Sequence, residues 1–206
     1  MGESKRRKQL DPTYGKTITY PDKEALALSI HEAVVKLCGE KASHACSFYA
    51  FVGAYVLDKL IPKLGWKGKK HVTMNVGSFT IWVSPDPGDG LGDCFYQWKA
   101  DDPATIGQEY HAWVMLFDDR SQQVEAFIDF ASRHYEHAVK TAGLPWRRDS
   151  IPQYIWCPPD NLQQMRIYPK AILPMTELTI QAYWAKADLV AAAESALTIY
   201  RERVKF

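Results

Sequence analysis

The spacing of apolar residues changes near residue 65 of this 206-residue chain. Before that point, apolar residues recur every three to four positions over 21–37 and 42–60, as they do in amphipathic helices. After it, they alternate with polar or small residues over 72–83 and 110–130, which is typical of strands with one buried face. Helices followed by strands with short turns predict an α+β fold, in which N-terminal helices pack on an antiparallel sheet.

A cysteine lies at the start of the second predicted helix, 42–60. Ser43 is its expected N-cap, and Pro62 limits the helix at its other end. A thiol in the first turn feels the positive end of the helix dipole, which favours the thiolate and makes Cys46 a better nucleophile. The alternative is a packed cysteine without a chemical role, since free cysteines are often buried.

The clearest hairpin joins predicted strands over 111–117 and 123–130. If the turn is centred on Arg120, His111 lies directly across from Asp129, with Cβ atoms about 4.5 to 5.5 Å apart on one face of the sheet. The carboxylate can then accept a hydrogen bond from the imidazole. A slip of one residue would move the two side chains to opposite faces.

The remaining chain is interpreted as a mobile basic arm over residues 1–20 and a single domain over 21–206. A C-terminal helix is predicted from about residue 176, and its heptad-like stripe favours packing back on the domain, with a partner or dimer seam as the alternative. The other predicted elements are a helix from Pro21 to Gly39, a hairpin of strands 72–76 and 79–83 turning at Gly77, a helix over 130–142 and a last strand over 154–156.

Composition narrows the classes of partner. A formal net charge of +1 provides no overall field that would attract nucleic acid or an anionic membrane. No apolar run is long enough to cross a bilayer, so a cytoplasmic location is expected.

The four cysteines are scattered along the chain and are interpreted as thiols. The loop 85–93 is rich in aspartate and glycine, but its spacing fits neither a calcium loop nor a dinucleotide loop.

A nucleophilic cysteine needs a base, and the base needs a group that orients it. The order cysteine, histidine 65 positions later and aspartate 18 further on is accompanied by ACSFYA around Cys46, HAWV at His111 and FIDF at Asp129. Over residues 40–130 this pattern resembles the transglutaminase-like branch of the papain-like cysteine enzymes. In that family the nucleophile opens a helix packed on an antiparallel sheet, and adjacent strands carry the histidine and the aspartate.

The resemblance implies that Cys46 is the nucleophile, His111 the general base and acid, and Asp129 the orienting group. The reaction would be attack on an amide or ester carbonyl of a protein or peptide, followed by transfer of the acyl group to water or an amine, without a cofactor. Two positions depart from the family pattern. Ser47 replaces the aromatic residue that often follows the cysteine, and Glu40 stands where papain-like peptidases place an oxyanion-stabilising glutamine.

Several alternatives stay open. Trp113 shares the strand face of His111 and would either wall a substrate cleft or fill the core; the same holds for Trp82 and Trp98. A transglutaminase-like module without catalysis, acting as a scaffold, is a second interpretation. A zinc site is a third, since imidazole and thiolate are zinc ligands. Its candidate ligands are His31, Cys38, His44 and Cys46, and a further histidine pair is His134 and His137.

Overall fold

The structure is a computed structural model that describes residues 22–63, 70–83, 95–100, 109–118, 121 and 123–204. Six helices lie in these ranges: α1 Lys23–Cys38, α2 Cys46–Leu60, α3 Tyr135–Thr141, α4 Asp160–Gln164, α5 Leu173–Trp184 and α6 Ala187–Arg203. Six strands form one sheet: β1 Lys70–Trp82, β2 Phe95–Trp98, β3 His111–Asp118, β4 Val124–Asp129, β5 Ile155–Cys157 and β6 Ile167–Ala171. The predicted basic arm, loop 85–93 and Cys94 lie outside the described residues.

The ends of the first helix follow its sequence signals. The side chain of Asp22 accepts a hydrogen bond from the Ala25 backbone N–H at 2.9 Å and so caps α1. Gly39 ends the helix with a φ of 58°, a left-handed conformation that costs a glycine little. The predicted boundary at Gly39 is confirmed.

The start of α2 differs from the prediction in its cap. Residues Gly39–His44 form a 3-10 helix, so Ser43 lies inside that turn and caps nothing; Ala45 occupies the N-cap position. Cys46 is therefore the first residue of α2. The helix ends at Leu60, and a short 3-10 turn, Ile61–Lys63, follows it.

The predicted hairpin at Gly77 is wrong, because β1 runs unbroken through this residue for 13 positions. Gly77 pairs with His111 of β3 and also with Ala171 of β6. A Cβ at this position would lie 2.1 Å from the backbone oxygen of Lys170. The glycine is needed for the close approach of β6, and it makes no turn.

All strand pairs are antiparallel, as predicted. The first part of β1 pairs with β3, and its second part pairs with β2 and β6. β4 connects β3 to β5. The strand predicted over 154–156 is present as β5, but it is not the last one: β6 follows, and its short sequence with Pro169 gives only a weak strand signal.

Both faces of the sheet are covered. The larger apolar cluster lies between the sheet and helices α1, α2, α5 and α6, and it contains Val114 of β3 and Ile128 of β4. The smaller cluster lies on the other face with α3 and α4, and it contains Trp113 and Phe127 from the same two strands. Successive strand residues thus point to opposite layers, as the strand period requires. An α+β fold with an antiparallel sheet is confirmed.

The C-terminal helix is two helices, α5 and α6, separated at Ala185 and Lys186. α6 packs against α1 and α2. Most of the heptad-like stripe is buried there, including Ala193, Leu197 and Tyr200. The stripe is therefore packed within the chain, as predicted. Among the described helices, none combines the length and hydropathy needed to cross a bilayer.

We predict that Gly77→Ala lowers the free energy of unfolding by about 3 kcal/mol, because the new Cβ meets a backbone oxygen that cannot rotate away. Gly143→Ala is the control: its Cβ would meet no atom within 4 Å, and only the positive φ of 77° at the end of α3 is penalised, by about 1 kcal/mol. Urea unfolding of both variants measures the difference. Equal losses would contradict the close packing of β1 against β6.

Candidate active site

The structure brings Cys46, His111 and Asp129 to one end of the sheet. Cys46 opens α2, His111 is the first residue of β3, and Asp129 is the last residue of β4. His111 Nε2 donates a hydrogen bond to Asp129 Oδ2 at 2.6 Å. The histidine is 2% exposed and the aspartate 1% exposed, so this pair is closed off from solvent.

The strand register differs from the predicted one by two residues. Val114 pairs with Ile128, and a bulge between Leu116 and Phe117 shifts the pairing near the turn. His111 therefore lies diagonal to Asp129, and is not directly across from it. An even shift keeps both side chains on the same face, so the predicted contact forms although the predicted register is wrong.

Asp129 receives two further hydrogen bonds. Its Oδ1 accepts from the Ala131 backbone N–H at 2.7 Å, and its Oδ2 accepts from the hydroxyl of Tyr135. The same hydroxyl lies 3.4 Å from His111 Nε2. Burial and the charge of Asp129 raise the pKa of Tyr135 well above its usual value, so the hydroxyl keeps its proton and stays a donor.

Tyr135 is the functional residue that sequence reasoning missed. It was placed within the predicted helix over 130–142, where nothing in the sequence distinguishes it. Its contact with Asp129 depends on the 3-10 turn Ser132–His134, which returns the chain towards the end of β4. That turn has no sequence signal strong enough to predict its geometry.

The environment of His111 favours the protonated ring. Burial by itself would lower the pKa of His111, but the adjacent Asp129 and the hydrogen bonds to Asp129 and Cys46 raise it to about 10. The rings of Phe79 and Trp98 pack against the imidazole at centroid distances of 4.4 and 5.0 Å. Since Asp129 occupies Nε2, Nδ1 is the ring nitrogen left for Cys46.

Cys46 is a half-buried free thiol. Its Sγ donates to the backbone oxygen of Tyr110 at 3.7 Å, so the residue before His111 also contacts the sulfur. The side chain of the neighbouring Ser47 points away from the cleft into the core. Its hydroxyl lies 2.6 Å from the Tyr183 hydroxyl and accepts a hydrogen bond from the Tyr110 hydroxyl at 3.1 Å. The serine after the cysteine thus connects α2 to α5.

Cys46 and His111 line a cleft of about 460 Å³, and Asp129 lies behind His111 without lining it. Tyr96 and Trp98 of β2 provide aromatic surface. The other lining residues include His44, Glu109, Tyr110, His134 and Tyr135. Glu40 is exposed and does not line this cleft, so it takes no part in binding an oxyanion there.

Trp113 does not line the cleft. It shares the sheet face of His111, as predicted, but it is 1% exposed and packs against Phe79 and Phe127 in the smaller apolar cluster. Trp113 lies two residues further along β3 than His111, which places its ring deeper in the core. Of the three tryptophans considered, Trp98 is the one at the cleft.

The candidate zinc ligands do not converge. His31 Nδ1 lies 2.6 Å from the hydroxyl of Tyr49, and His134 Nε2 lies 3.1 Å from the same hydroxyl. Burial, then the charges of His31 and Arg133, lower the pKa of His134 to about 4, so its ring is neutral at pH 7. In the described parts of the chain, no group of three or more histidine, cysteine, aspartate or glutamate side chains is arranged to hold a metal ion.

The fold and site define a class: an α+β protein in which a cysteine and a histidine line a cleft between a helix start and a sheet end, with a buried aspartate bonded to the histidine. Comparisons with protein-family models, with curated proteins and with solved structures found no match to this chain.

We predict that the free energy of unfolding falls as the pH rises from about 7 to about 9.5. An unfolded histidine loses its proton near pH 6.5, whereas folded His111 keeps it up to about pH 10. The stabilisation is therefore complete below pH 6.5 and is lost as the pH rises through the folded pKa, which gives the free energy of unfolding a negative slope against pH. Urea unfolding at a series of pH values measures this slope.

His111→Gln is the matched control, because it keeps a polar side chain but does not titrate. Its free energy of unfolding should be lower at pH 7 and should lack the His111 slope. If the wild type and the variant lose stability in parallel over this range, the pKa assigned to His111 is contradicted.

Proposed function

We propose that this protein is a thiol-dependent acyl-transfer enzyme that acts on amide-type carbonyl groups, with Cys46 as nucleophile, His111 as general base and acid, and Asp129 as the orienting group. One observation carries the proposal: His111 Nε2 is held on Asp129 Oδ2 at 2.6 Å, and His111 lines the same cleft as Cys46. A cysteine at the start of a helix, with its partners on two adjacent antiparallel strands, supports the proposal of a transglutaminase-like arrangement.

The first half of the reaction forms a thioester. In the reactive form, the proton of Cys46 lies on His111 Nδ1, and the sulfur attacks the carbonyl carbon of the substrate as a thiolate. The carbon–sulfur bond forms, the carbon–nitrogen bond breaks, and His111 returns the proton to the departing amine. Asp129 and Tyr135 hold the ring in place throughout, and the positive charge of the imidazolium stays balanced by the buried carboxylate.

The second half transfers the acyl group. A water molecule or an amine attacks the thioester carbon, gives its proton to His111, and releases Cys46. Hydrolysis, deamidation and transamidation differ only in the leaving group and this acceptor. The oxyanion formed in each step would accept a hydrogen bond from the backbone N–H of Cys46 at the start of α2. A protein or peptide amide is the proposed substrate, and a reducing cytoplasm would suit the free thiol.

We predict that iodoacetamide alkylates Cys46 at pH 7 at least about tenfold faster than Cys38 or Cys157. Burial raises the pKa of the Cys38 and Cys157 thiols, which lowers their thiolate fraction, whereas Cys46 has a basic imidazole as partner. Peptide mass spectrometry after timed alkylation gives the rate at each cysteine. Because Cys157 is half-buried like Cys46, it is the internal standard for access.

His111→Ala should remove the advantage of Cys46 without changing the rate at Cys157. An inert Cys46 in the folded wild type, or an equal rate in the variant, would overturn the nucleophile assignment. The interpretation left would be a scaffold that keeps the fold without catalysis.

We also predict that p-nitrophenyl acetate acetylates Cys46 and that the thioester then turns over to acetate. The sulfur displaces nitrophenolate, so a burst of nitrophenolate measures acylation and the later steady rate measures deacylation. His111→Ala should slow the steady rate about a hundredfold or more. Cys157→Ala is the control and should match the wild type; a burst that survives Cys46→Ala would contradict the proposal.

A further inference from the structure

A second cavity, of about 350 Å³, lies beside the end of β1 and shares no lining residue with the catalytic cleft. Its walls come from Trp82, from the segment 148–152 and from residues 164–166 between α4 and β6. Two guanidinium groups, those of Arg148 and Arg166, line this one space. The cavity therefore concentrates positive charge at a place that the proposed acyl transfer does not use.

Arg148 is fixed in position by the backbone. Its Nη1 donates to the carbonyl oxygen of Trp82 at 2.8 Å, and its Nη2 donates to the carbonyl oxygen of Met165 at 2.9 Å. A guanidinium carries five N–H donors, so these two bonds leave donors for a ligand. Burial lowers the pKa of Arg148, and the charge of Arg166 lowers it too, so the two cations are close enough to repel each other.

Arg166 is held in an unfavourable conformation. It has a φ of 52°, and no other described residue except glycine has a positive φ. Its guanidinium stacks over the Trp82 ring at 5.4 Å from the ring centre. Its Nη1 is buried and has no hydrogen-bond partner, which is rare for a buried polar atom in a folded protein. Strain and an unsatisfied donor in one residue are features expected at a binding site.

The charges of the described residues that line the cavity do not balance. Among the described residues, no carboxylate forms an ion pair with either guanidinium. Asp149 also lines the cavity, but it is exposed and acts on Arg148 only at longer range. Among the described residues that line the cavity, two positive charges therefore face one negative charge, and a ligand with a single negative charge would complete the balance.

We propose that this cavity binds a carboxylate group, carried by a small organic acid or by the C-terminus of a peptide. A flat carboxylate matches the fork of a guanidinium and can accept two parallel hydrogen bonds from it. Its two oxygens accept from the unused donors of Arg148 and Arg166. The carbon skeleton of the ligand lies against Trp82, Ile151 and Pro152, which give the cavity apolar walls.

Isothermal titration calorimetry of the full chain tests this assignment with four probes: acetate, N-acetylglycine, N-acetylglycinamide and inorganic phosphate. We expect N-acetylglycine to bind and its neutral amide to bind about tenfold more weakly or not at all. Tighter binding of N-acetylglycine than of acetate identifies a peptide terminus as the source of the carboxylate. Equal binding of the two identifies a small organic acid.

Arg166→Gly is the decisive variant, because glycine suits a φ of 52° and the fold is kept while the guanidinium is lost. It should weaken N-acetylglycine binding about tenfold and leave the thermal midpoint equal or higher. Arg203→Ala, which removes a surface ion pair with Glu32, is the control and should bind as the wild type does. Absence of carboxylate binding, equal binding of the amide, tighter binding of phosphate, or full binding by Arg166→Gly would overturn the proposal.

Discussion

The buried carboxylate of Asp129 decides how the elements around the cleft must lie. A carboxylate that is 1% exposed has lost its hydration, and this is costly unless its oxygens receive hydrogen bonds. Three donors meet it: the imidazole of His111, the hydroxyl of Tyr135 and the backbone N–H of Ala131. They come from β3, from α3 and from the turn after β4. One buried charge thereby fixes three parts of the chain relative to one another.

The residue after Asp129 positions the cysteine helix. Phe130 packs against Gly53 of α2 so closely that a Cβ on the glycine would lie 2.4 Å from the ring. α2 also packs across β3 and β1, and its first residue reaches the backbone of Tyr110, next to His111. The end of β4 thus supplies both the carboxylate that orients the imidazole and the ring that sets the distance of α2. Sulfur and imidazole are brought together by packing on one strand end.

The sequence predicts well what depends on period and composition, and less well what depends on contacts between distant residues. The α+β class, the end of α1 at Gly39 and the contact of His111 with Asp129 follow from local patterns. The bulge at Leu116 and the hydrogen bond from Tyr135 to Asp129 could not be predicted, because both depend on how β4 and the following turn pack against the rest of the sheet. The predicted turn at Gly77 was wrong for the same reason. A glycine in a strand marks either a turn or a close approach of another backbone, and only the position of β6 decides which.

The two cavities differ in how the positive charge of their side chains is compensated. At the catalytic cleft, the charge on His111 is matched inside the protein by Asp129, so the imidazolium is stable without a ligand and its proton can be exchanged with a sulfur or a leaving group. At the second cavity, no carboxylate among the described residues forms an ion pair with Arg148 or Arg166, and a guanidinium is a permanent cation. A matched, titratable charge suits proton transfer, whereas an unmatched, permanent charge suits the binding of an anion. The difference in charge compensation therefore supports the two proposals, acyl transfer at the first cavity and carboxylate binding at the second.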